Sequence, residues 1–193
     1  MKVFLTLLAV PLLIIGAVKT APLLATNQPV QFISAHGANA MTFAISSTSF
    51  ANGGEIPKRF TCDGADVSPE LSWTQPPAGA QTFALIADDP DAPVGTWTHW
   101  VAFDLPPTST GLPENVPTID QLPNGGYQGR NDFRKIGYGG PCPPAGKSHR
   151  YFFKLYALDR QLKLKPGASK QELEQAMRGH ILGQSEWVGR YRR

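Results

Sequence analysis

Charge is scarce in this chain. Only 17% of its residues are Asp, Glu, Lys or Arg, while 41% are hydrophobic. That balance excludes an intrinsically disordered polymer and fits a folded domain with a sizeable core. There is no large excess of either sign. Lys2 and Lys19 fall in an acid-free leader, so residues 41–193 hold 16 basic and 15 acidic residues. A nearly neutral domain speaks against nucleic acid as a partner. Its one basic run, Arg190, Arg192 and Arg193, reads as a solvated terminus. Cysteine is limited to Cys62 and Cys142, too few for a disulfide scaffold and without the Cys-x-x-Cys spacing of a zinc site. No internal repeat and no long low-complexity segment interrupts the 193 residues, which suit one domain plus a leader.

The only long hydrophobic run is VFLTLLAVPLLIIGAV, residues 3–18. It has the length of a signal-peptide core, falls short of the roughly 20 apolar residues of a confident span, and contains Pro11. We read residues 1–25 as a secretory signal and 26–40 as a linker. Cleavage falls after Ala25 or as late as the Ala38-Asn39-Ala40 site. The chain is therefore expected to be exported, periplasmic or secreted. A membrane-anchored form with an uncleaved leader and a start at Met41 are the alternatives. The domain proper runs from 41 to 193. In an oxidising compartment Cys62 and Cys142 could pair, and closing so long a loop would contribute roughly 4 kcal/mol. Sequence alone leaves that pairing open, along with the question of a homodimer.

Glycine and proline, 19 and 18 residues, are abundant and imply many turns and long ordered loops. Between them lie segments that alternate with period two. TFALIADD (82–89) places Phe83, Leu85, Ala87 and Asp89 on one face, and THWVAFDLP (98–106) does so for His99, Val101, Phe103 and Leu105. HRYFFKLYALD (149–159) aligns His149, Tyr151, Phe153, Leu155 and Ala157, while 41–50 and LSWT (71–74) are shorter strand candidates. One helix is expected. Ser169 and Glu172 form a capping-box pattern, Leu173, Ala176, Met177, His180 and Ile181 recur at helical spacing, and Gly183 is a stop. Several strands and one late helix predict a mostly β fold, a Greek-key-like sandwich of two antiparallel sheets with a C-terminal helix.

The stretch DDPDAP (88–93) concentrates three carboxylates before two prolines. Alternation turns Asp89 toward the apolar face and Asp88 away from it. Asp88 and Asp91 also suit simple turn capping. His99 and His149 each start a strand on its apolar register, so pairing of the strands would gather Asp89, His99 and His149 at one end of the sheet. A one-residue register error would reverse this. Loop 137–148, GYGGPCPPAGKS, leads into His149 and offers backbone N–H groups to an anion. Trp97 and Trp100 read as core or pocket wall, His180 as part of the helix, and His36 as part of the leader.

Enzymatic chemistry is not expected. The chain lacks a G-x-S-x-G elbow, a phosphate-binding G-x-x-x-x-G-K-[ST] loop and any His-x-x-x-His pair. Asp88 and Asp89 would face opposite sides of one strand, unlike the paired carboxylates of a glycosidase. Asp89, His99 and His149 could offer three ligands to zinc, but no ligand spacing supports that. We expect no catalytic residue, no metal and no cofactor.

DPDAP (89–93), W-x-H (97–99) and GGPCPPAGKSHRY (139–151) resemble the signature regions of the phosphatidylethanolamine-binding protein family. TCDGADVSPELSW (61–73) and YFFKLYALD (151–159) resemble its bacterial Raf-kinase-inhibitor-like branch. The resemblance spans roughly 42–193. It implies two antiparallel sheets with a C-terminal helix, and a small pocket for phosphate-like anions or phospholipid head groups. Carried over by motif, the ligand-binding residues would be Asp89, Asp91, Ala92, Pro93, Trp97, His99, Gly139, Gly140, Pro141, His149 and Tyr151. Cys142, inserted as GPCPP, follows the bacterial branch and departs from the eukaryotic GPP pattern. Relatives are associated with inhibiting serine proteases or kinases, which makes such a partner the alternative to ligand binding; a hydrolase is the remaining one.

Overall fold

A computed structural model describes residues 42–193. The signal, linker and cleavage expectations for residues 1–40, and His36, lie outside the described residues. Eight strands and one α-helix follow in the order β1 (Ala44–Ser46), β2 (Leu71–Thr74), β3 (Thr82–Asp89), β4 (Trp97–Leu105), β5 (Gly111–Leu112), β6 (Tyr127–Gln128), β7 (His149–Leu158), α1 (Lys170–Met177) and β8 (Ile181–Tyr191). They form two antiparallel sheets, β1-β2-β5 and β6-β4-β3-β7-β8.

β3 is the centre of the larger sheet, and all eight of its residues are buried. Both of its faces are covered. Phe83, Leu85 and Ala87 join Ile45, Leu71 and Trp73 of the smaller sheet in one core. Ala84 and Ile86 join Leu173 and Met177 of α1 in a second. The order of layers is thus small sheet, large sheet, helix. A strand covered on both sides carries apolar residues at both parities, as β3 does.

The alternation read for β4 is overturned. Val101 and Phe103 face the helix-side core, while Trp100, Ala102 and Leu105 face the inter-sheet core. Two bulges are responsible. Phe83 pairs with Leu105 but Leu85 with Ala102, and Ala87 pairs with Trp100 but Asp88 with Thr98. The first bulge contains Asp104, at φ 51°, whose carboxylate accepts the backbone N–H groups of Leu162 and Lys163. The second makes His99 the extra residue. Each bulge inverts which parity faces inward.

The helix starts as expected. Ser169 Oγ accepts the Glu172 N–H, and Glu172 Oε2 accepts the Ser169 N–H at 2.8 Å. It ends earlier, at Met177, with Arg178 as cap and Gly179 at φ +78°. His180 lies past it, with Nδ1 3.0 Å from Asp159 Oδ1. Ile181 and Gly183 belong to β8, an eleven-residue strand that the sequence reading did not anticipate and that places Arg190 in a sheet. Its faces are unevenly covered and two glycines interrupt it. At Gly189 a Cβ would sit 2.4 Å from Ile56 Cγ1, so the strand packs tightly enough there to require glycine.

Cys62 and Cys142 are bonded, with Cα atoms 5.4 Å apart and a sequence separation of 80. Constraining that loop contributes about 4 kcal/mol by the chain-entropy account, part of a net stability of about 5–15 kcal/mol typical of such domains.

Asp88 is no turn cap. It is fully buried on the helix face, with Oδ1 2.8 Å from Lys154 Nζ and Oδ2 2.6 Å from Lys170 Nζ. One carboxylate therefore ties β3, β7 and the first residue of α1 together. Removing it takes the shared carboxylate from two partly exposed ammonium groups. Asp88→Ala should lower the unfolding free energy by about 2–3 kcal/mol in urea titrations; a loss below about 1 kcal/mol, as for an exposed pair, would contradict this role.

Candidate functional site

Asp89 is the last residue of β3 and only 3% exposed. Its two oxygens have separate tasks. Oδ1 accepts the Asp91 N–H at 2.8 Å, which holds the Asp-Pro-Asp corner. Oδ2 lies 2.8 Å from Nδ1 of His149, the first residue of β7. A carboxylate at that distance requires the proton on Nδ1, which leaves Nε2 free.

His99 is anchored in the same sense. Its Nδ1 lies 2.6 Å from the Gly139 carbonyl, which can only accept, so Nδ1 carries the hydrogen and Nε2 is again left over. Burial lowers the His99 pKa and outweighs the opposing pull of the Gly139 carbonyl and the Asp89 charge. The ring packs edge-on against Tyr151 and Phe133, with centroids 5.2 and 5.3 Å away. Burial, and then the negative charge of Asp89, push the Tyr151 hydroxyl well above its ordinary range, so it stays protonated. Among the described residues, Trp97 Nε1 and Tyr151 Oη are the buried side-chain polar atoms without a hydrogen-bond partner. Two orphaned donors beside two oriented imidazoles form a concentration of unmet polar capacity.

His99, His149, Asp89 and Trp97 border a cavity of about 160 Å³. Of the residues singled out from sequence, Asp89, Ala92, Pro93, Trp97, His99 and His149 line it. Tyr151 does not line it but packs its ring edge-on against His99. Gly139 and Gly140 act through their backbone: Gly139 holds His99, and the Gly140 N–H donates to Asp66 Oδ1 at 2.7 Å. Both line a neighbouring cleft of about 630 Å³ instead. The Pro141 carbonyl accepts the Cys62 N–H. Asp91 faces away, bound by Arg150 through its backbone N–H and by two guanidinium bonds of 2.8 and 2.7 Å.

The cavity also contains Val94 and Phe133, to which the sequence assigns no role in a pocket, and Cys142, Pro143 and Pro144 of the 137–148 loop. Phe133 sits in a loop without periodicity. That loop is shaped by Asn131, which bonds the Gly137 carbonyl and the Lys135 N–H, and by Asp132, whose Oδ2 accepts the Thr98 N–H at 2.6 Å. Val94 is 78% exposed. A groove of about 970 Å³ near Asp159 and His180 is larger, but the ionisable groups there are open to water, and we place no function in it. Among the described residues no three His, Cys, Asp or Glu side chains come together to hold a metal ion.

The hydrogen bonds of Arg150 lower the Asp91 pKa from 3.8 to about 2. A carboxylate with a depressed folded-state pKa adds stability above its unfolded value, and that stability is lost as pH falls from about 4 to about 2. In Arg150→Ala, which keeps the backbone N–H, the Asp91 titration should move up from about 2 toward 3.8 by NMR. A titration midpoint that does not move would remove Arg150 as the cause.

Residues 46–192 match the profile of the phosphatidylethanolamine-binding protein family. A UPF0098 protein of Methanothermobacter thermautotrophicus is 57% identical over 145 residues, 75% of this chain and 95% of that protein. One from Aquifex aeolicus is 50% identical over 165 residues, 84% and 94% of the two chains. Among solved structures, CT736 of Chlamydia trachomatis, described as a homologue of phosphatidylethanolamine-binding proteins, aligns with a TM-score of 0.72 at 38% identity, over 79% of this chain and 98% of that one. YbcL of E. coli, described as a member of the mammalian family, gives 0.74 at 32%, over 78% and 98%. The chain therefore belongs to the phosphatidylethanolamine-binding protein family.

Proposed function

We propose that this is a non-enzymatic binding protein whose 160 Å³ cavity takes a phosphate-like anion, either free or as the head group of a phospholipid. The observation that carries the reading is the shared anchoring of the two histidines. Nδ1 of each is committed, to Asp89 and to the Gly139 carbonyl, so each presents Nε2 as its remaining polar atom. The volume is below the roughly 300–1,000 Å³ of pockets for drug-sized ligands, which suits a single small group. The orphaned Trp97 Nε1, on a residue that lines the cavity, supplies a further donor.

Asp89 sets the electrostatic condition. An anion beside its carboxylate is repelled unless a proton is shared or an imidazole is charged. Export is consistent with the leader pattern and with a disulfide, which persists in oxidising compartments.

Two measurements test the reading. Phosphoethanolamine affinity should fall as pH rises from 5 to 8, through the histidine range near about 6.5; a flat calorimetric profile would sink the proposal. His149→Ala should abolish phosphoethanolamine binding while circular dichroism stays native, and unchanged affinity would show that the anion sits elsewhere.

A further inference from the structure

The disulfide stands where the two cavities meet. Cys142 is exposed and Cys62 half-buried. Both line the 630 Å³ cleft, and Cys142 also lines the 160 Å³ cavity, together with Pro143 and Pro144. The segment before Cys142 has its own hydrogen bonds: Gly139 N–H to the His99 carbonyl, Gly140 N–H to Asp66, and Cys62 N–H to the Pro141 carbonyl. The next backbone bond downstream is Gly146 N–H to the Arg193 carbonyl. Among the described residues, no hydrogen bond holds positions 142–145, and the two prolines have no N–H to offer. Apart from packing, one covalent bond fixes this wall of the small cavity.

We propose that the Cys62–Cys142 disulfide is a reducible latch on the cavity, reached through the wide cleft by a dithiol partner. Exposed disulfides are the labile ones, whereas purely structural ones resist reduction. The exchange is a two-electron step. A thiolate of the partner attacks Sγ of Cys142, the more exposed of the two residues; the Cys62–Cys142 bond breaks, and Cys62 leaves as a thiolate. The partner's second thiolate then attacks its own sulfur in the mixed disulfide and releases Cys142. The partner is oxidised to a disulfide, and the protein takes up two electrons and two protons as a pair of thiols. Freed from Cys62, the Cys142–Ala145 segment can swing off the cavity that Pro143 and Pro144 close.

The effect on affinity rests on the anion-binding reading above; the opening of the wall does not. The test therefore has two arms, run on the oxidised protein, on the protein reduced with dithiothreitol, and on Cys62→Ser/Cys142→Ser. In the first, diethylpyrocarbonate modification of His99 and His149 is followed by mass spectrometry. It should be roughly tenfold faster in the reduced and variant proteins, as expected of a locally opened segment. In the second, phosphoethanolamine affinity should fall roughly tenfold with the loss of a preorganised wall. Far-UV circular dichroism should remain native. Equal modification rates in folded oxidised and reduced protein overturn the latch. So does a disulfide that dithiothreitol leaves intact, or a reduced protein that unfolds, since the bond is then a structural staple. If the oxidised protein binds no phosphoethanolamine, the anion reading fails, while the histidine rates still decide the latch.

Discussion

The burial of β3 on both faces is the constraint on which the rest depends. A strand covered by a sheet on one side and a helix on the other has no solvated face on which to place a charge. Yet it ends in two consecutive aspartates, and strand geometry sends them to opposite sides. Each has to be satisfied where it emerges. Asp88 meets two lysines and becomes an anchor for the helix, while Asp89 meets a histidine and a turn amide and becomes the floor of a cavity. The same pleat that separates the two cores thus separates the helix anchor from the candidate site.

Much of this was legible in the chain. β3 and the short strand LSWT have the bounds expected from alternation, and the Ser169–Glu172 capping box forms as its spacing requires. Asp89, His99 and His149 were recognisable because polar residues at the ends of apolar strands have few other places to go. The remainder left weaker traces. β5 and β6 are two residues long, too short for any period to register. β8 alternates poorly because its surroundings differ along its length: residues near Gly189 press on Ile56, while Ile181 and Leu182 are exposed. Phe133 reaches the cavity from a loop whose shape comes from side-chain bonds to backbone, which no pattern of hydrophobicity records.

The bulges in β4 were the least visible feature and the most consequential. Alternation puts His99 on one face with Val101, Phe103 and Leu105 and identifies that face with the one bearing Asp89. In the structure Val101 and Phe103 point to the helix, so the assignment of the face was wrong. His99 nevertheless reaches Asp89's side, because it is itself the extra residue of a bulge. Two departures from simple alternation cancelled at that one position. Bulges cost nothing in apolar content and leave no compositional mark; Asp104's left-handed φ, tolerable for aspartate, is the only local hint.

That extra residue has a genetic corollary. Outside its two bulges β4 is bound to β3 by register, so losing a residue there would shift a face of the core. His99 stands outside the count: its deletion would straighten the strand into regular pairing with β3 rather than break it. The imidazole is in this sense an insertion accommodated by an already complete sheet. What such a deletion would lose is the loop: the His99 carbonyl accepts the Gly139 N–H and its ring holds the Gly139 carbonyl, so the cavity wall and the imidazole hang on the same codon.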